Sequence, residues 1–87
     1  MLSMKDCLDY CDLTEEEVEL IAEHEEIADV SAAQLACRLV QTSEGVILLT
    51  QYMQDLAERA VTRGDCVRAE HVMNVWQRFM ADHPLSH

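Results

Sequence analysis

Two glycines and one proline in 87 residues are the tightest constraint on this chain. With so little punctuation it turns rarely, and long regular elements must do the building. Ala, Leu, Glu, Gln, Met and Arg dominate the sequence, and these side chains lose little freedom in a helix. No stretch alternates apolar and polar residues for long enough to form a strand. The expected fold class is all-α.

At this length, residues 1–87 are expected to form a single helical domain with one modest core. Caps and periodicity place five helices. The first covers about Met4 to Cys11, with Ser3 as N-cap and Met4, Cys7, Leu8 and Cys11 on one face. The second begins at a capping box, Thr14 with Glu17, preceded by Leu13 and stapled to Val18. It runs to about Glu25. A break is expected between Glu26 and Ser31, where Ser31 and Gln34 offer a second capping box. The third helix then carries a wide apolar arc of mostly small residues, including Ala32, Ala33 and Ala36. Such an arc demands close contact on two sides, from a central position or an oligomer interface. Thr42 or Ser43 caps the fourth helix, about Glu44 to Arg63, with Gly64 as its C′ residue. Asp65 caps the fifth, which reaches about Asp82 with Val72, Met73, Trp76, Phe79 and Met80 as its apolar stripe, joined by Ala69 and Val75. Short connections imply antiparallel neighbours. The architecture predicted is a compact four-helix bundle with a short additional N-terminal helix.

The net charge is −11 and uneven. From Asp12 to Asp29 the chain holds nine acids and neither Lys nor Arg. Such a field repels phosphate, so neither nucleic acid nor an anionic membrane is an expected partner. The longest apolar run is Val46-Ile47-Leu48-Leu49, far short of a membrane span. Asp6 and Asp9 stand where a signal peptide needs apolar residues, so a cytoplasmic location is expected. Cys7, Cys11, Cys37 and Cys66 then read as reduced thiols.

The segment Leu13-Thr14-Glu15-Glu16-Glu17, the segment Ile21-Ala22-Glu23-His24-Glu25-Glu26-Ile27 and the closing stretch from Phe79 to Pro84 resemble a group of short, uncharacterised bacterial helical proteins. The resemblance implies a bacterial cytosolic helical fold. It implies no activity and assigns no functional residue.

Chemistry is sparse. No Glu precedes His24 or His71 by three residues, as the ligand pairs of a di-iron bundle require. Two glycines cannot build a phosphate loop, and no nucleophile sits in a recognisable context. Cys7 and Cys11, one turn apart, offer two zinc ligands, with Cys37, Cys66 or a histidine to complete four; the simpler reading makes the cysteines small apolar fillers. His24 and Glu25 fall on the packed side of the second helix, where a His–carboxylate pair can exchange protons. Near a helix end, however, both can also reach water or cap backbone. Gln34, Arg38 and Gln41 suit base readout on a helix after a turn, but the negative field opposes it.

The reading that remains is non-catalytic protein–protein contact, with no cofactor. Glu15, Glu16, Glu19, Glu23 and Glu26 form an acidic face suited to a basic protein partner. Ile47 and Leu48, off the main stripe of the fourth helix, add apolar contact to a partner or to a second copy in a homodimer. The plainer reading makes the acids a solubilising face. The alternative function is a small metal- or ligand-binding domain using Cys7, Cys11, His24 and Glu25.

Overall fold

The computed structural model describes residues 4–84, without the side chains of Met4, Lys5 and Cys7. Among the described residues five α-helices make up the fold: α1 (Met4–Tyr10), α2 (Glu15–Glu25), α3 (Asp29–Leu39), α4 (Ser43–Thr62) and α5 (Cys66–Asp82). The expected Ser3 cap lies outside the described residues. The Cα trace measures 42 × 33 × 17 Å, about two helix layers deep in its thinnest direction. α4 and α5 form the most extensive pairing, α2 lies against α3, α4 and α5, and α1 rests on α3.

Most boundaries follow from the caps. The Thr14 hydroxyl accepts from the Glu17 N–H at 3.2 Å, and the Glu17 carboxylate accepts from the Thr14 N–H at 2.8 Å. Thr42 accepts from the Gly45 N–H at 3.0 Å, and Asp65 from the Arg68 N–H at 3.0 Å. Gly64 follows α4 in the left-handed region at φ 77°.

The α2–α3 break corrects one expectation. Ser31 caps nothing, because α3 begins at Asp29 with Ala28 as its N-cap residue and no side-chain cap. The chain turns earlier, at Glu26, which takes the left-handed conformation at φ 56°. The following Ile27 N–H bonds back to the Ala22 carbonyl, the closure of a Schellman turn.

The core gathers Leu8, Val18, Leu20, Ile21, Leu49, Met53, Leu56, Val72 and Phe79 from α1, α2, α4 and α5, with Leu13 from the α1–α2 connection. α3 contributes Ala32, Ala33 and Ala36, all buried. Its small residues are therefore consumed within the chain, as the central-position reading of the wide arc requires. The stripe on α5 departs from expectation only at Met73. Val72, Val75 and Phe79 are buried, whereas Met73 is 37% exposed. At the α3–α4 corner, a Cβ on Gly45 would collide with the carbonyl of Leu39, so only glycine fits there.

The cysteines give the largest correction. Cys11 and Cys37 are joined by a disulfide, with Cα atoms 5.6 Å apart, which ties the end of α1 to α3. The spacing along the sequence concealed this pair because the helices had to fold before the two positions met. Cys66 is a free, exposed thiol.

Candidate functional site

The best-defined polar cluster lies between α2 and α4. His24, whose side chain is 11% exposed, places Nδ1 3.0 Å from a Glu25 oxygen and Nε2 3.1 Å from an Asp55 oxygen. The Tyr52 ring stacks on the imidazole at 4.3 Å between centroids. The Tyr52 hydroxyl donates to the other Glu25 oxygen at 3.2 Å. Tyr52 and Asp55 sit three residues apart on α4, on one face of the helix. Desolvation is the main cause raising the Tyr52 phenol above its ordinary value, and the Glu25 carboxylate adds to it.

Sequence reasoning singled out His24 and Glu25 but not their partners on α4. The signal available was limited to the polar Asp55 and the Tyr52 hydroxyl next to an apolar stripe. The arrangement is a latch. Both ring nitrogens of His24 already face carboxylates, which leaves neither nitrogen directed at a metal or substrate. Among the described residues, no group of three or more His, Cys, Asp or Glu side chains is placed to hold a metal ion. The Cys7 side chain lies outside the described residues, and Cys11 is disulfide-bonded, which withholds its thiolate from zinc while that bond is intact.

The acidic face of α2 divides into two parts. Glu23 pairs with Arg68 of α5 at 2.6 Å, and Glu16 lies 3.8 Å from His71. Both are thus spent in part on docking α2 to α5. Glu15, Glu19 and Glu26 are exposed and make no ion pair among the described residues. Arg68 escaped sequence reasoning, since nothing local marks it as the cation that meets α2. Ile47 is 44% exposed, and Leu48 is half-buried one turn before Tyr52.

Glu17 is the one buried charged side chain among the described residues, with 0% exposure. Its Oε1 serves the capping box, but Oε2 has no hydrogen-bond partner. Burial raises its carboxyl above the ordinary value, while the Thr14 N–H and His83 pull the other way. His83, near the end of α5, bonds the Asp12 carbonyl through Nε2 at 2.9 Å. α5 is thereby pinned to the α1–α2 turn.

No helix among the described residues is long and apolar enough to cross a membrane. No protein-family model, curated protein or solved structure matches the chain.

Proposed function

We propose that the chain is a non-catalytic interaction module, a four-helix bundle of α2–α5 with α1 laid on α3, that holds a basic protein partner through α2. The observation that carries this reading is the set of exposed carboxylates at Glu15, Glu19 and Glu26, which make no ion pair among the described residues. Surface charges of this kind act chiefly on encounter rate and partner choice. Exposed Ile47 is the apolar element available to a homodimer at the start of α4. A cytoplasmic, bacterial setting belongs to the same proposal; the Cys11–Cys37 bond requires that it survive there or form under oxidising conditions.

The small-ligand alternative finds less support. Its residues His24 and Glu25 are occupied in the α2–α4 latch, and Cys11 is occupied by Cys37.

The test is charge reversal at Glu15, Glu19 and Glu26 to Lys, which spares the Glu16 and Glu23 pairs. Partners captured by the wild-type chain at low salt are expected to be lost, with helical circular dichroism unchanged. An identical set of bound partners would sink the acidic-face reading.

A further inference from the structure

A covalent bond holds the shortest helix of the fold. α1 has 7 residues, below the roughly 12–15 at which an isolated helix becomes marginal in water. Its last turn holds Asp9 and no basic residue, the wrong sign for the negative end of the helix dipole. Of its described side chains only Leu8 is buried, and Tyr10 is 84% exposed. α1 rests on α3, and the Cys11–Cys37 bond joins the two immediately after its last residue. The rest of the bundle is assembled without it. The His24–Asp55 and Glu23–Arg68 pairs dock α2 on α4 and α5, and α4 packs along α5. Asp12 marks the boundary. It takes the left-handed conformation at φ 55°, its carbonyl accepts from His83 at the end of α5, and buried Leu13 follows it.

We infer that the Cys11–Cys37 disulfide is a redox-controlled strap: its reduction by a dithiol frees α1 from α3 about a hinge at Asp12, while α2–α5 stay packed. In a reducing compartment a protein disulfide is transient, and such bonds serve sensing more than structure. A thiolate of the dithiol attacks the sulfur of Cys37, the more exposed residue of the pair. The S–S bond breaks and Cys11 leaves as a thiolate, which takes up a proton. The second thiol of the reductant then displaces Cys37 from the mixed disulfide. Two electrons and two protons have passed to the protein, and the reductant departs as its own cyclic disulfide. The side of α3 on which α1 rests is then open to solvent. The strap involves none of Glu15, Glu19 and Glu26, so it stands or falls apart from the acidic-face reading.

The test is residue-resolved amide hydrogen exchange on the full chain, oxidised and after reduction by dithiothreitol. The Leu13 N–H bonds the Leu8 carbonyl at 2.9 Å while α1 is docked. Its exchange is expected to quicken at least about tenfold on reduction, whereas amides of α4 and α5 change less than about threefold. Cys37→Ala should give the same fast exchange at Leu13 with no reductant present. Exposed Cys66 supplies an internal standard for a second readout, alkylation by iodoacetamide with the reductant removed under nitrogen. Cys11, 8% exposed in the strapped form, should react within about tenfold of the Cys66 rate once reduced. Slow exchange at Leu13 and a shielded Cys11 in the reduced protein would mean that packing holds α1, and would overturn the strap. Loss of protection in α4 and α5 together with α1 would make the bond a staple of the whole fold, which overturns it as well.

Discussion

Glu17 shows how far a local rule reaches. The capping box predicts its backbone partner and is found intact. Its complete burial follows from the end of α5, which brings His83 and Asp82 close enough to act on its charge, and nothing near Glu17 in sequence announces that. Since burial raises the folded-state pKa above the ordinary 4.5, folding favours the neutral acid. The associated stability is fully present below the unfolded value and is lost as pH rises through the folded one. Glu17→Gln keeps an oxygen for the Thr14 N–H and removes the charge. Urea unfolding is expected to show the variant at least as stable as wild type at pH 7, with a flatter decline between pH 4.5 and 7. A variant less stable at pH 7 with an unchanged pH slope would mean that the carboxylate itself is needed. His24 gives the complementary lesson: its position on the packed side was readable, whereas its role as a latch depends on Tyr52 and Asp55, about thirty residues away.

Among the elements, helix starts marked by a side-chain cap were legible, and the uncapped start of α3 at Asp29 was not. Thr14, Thr42 and Asp65 carry side-chain oxygens that bond the first-turn N–H groups, a signal confined to a few residues. The stop at Glu26 has no such mark, because a glutamate in the left-handed region departs from the glycine preference. Met73 fits the period of α5 as well as Val72 does, and only the position of α4 decides which of them is covered. Gly45 offers a decisive comparison. By helix propensity alone, Gly45→Ala should stabilise α4 by about 1 kcal/mol. Contact with the Leu39 carbonyl predicts the opposite, a loss of about 2 kcal/mol through overpacking. Thermal unfolding should therefore fall by roughly 10 °C, and a rise would show that the α3–α4 corner yields easily.

For the whole molecule, the all-helical class was legible from the shortage of Gly and Pro, whereas the covalent tie was not. Small chains bury a limited fraction of their surface, so one cross-link weighs heavily. Closing the 26-residue separation between Cys11 and Cys37 reduces the entropy of the unfolded chain by the equivalent of about 3.5 kcal/mol. That compares with a typical total of roughly 5–15 kcal/mol. Mild reduction should lower the urea midpoint markedly, and Cys11→Ala with Cys37→Ala should match the reduced protein. An unchanged midpoint would show that helix packing alone holds α1 on α3.

The same bond changes what a cut in the backbone means. Glu26, Ile27 and Ala28 form the exposed connection after α2, and all three lie inside the ring that Cys11 and Cys37 close. A protease that nicks the chain there leaves one molecule with an extra pair of ends, which migrates as a single species until a thiol separates the fragments. Backbone integrity and molecular integrity are thus independent properties over this stretch.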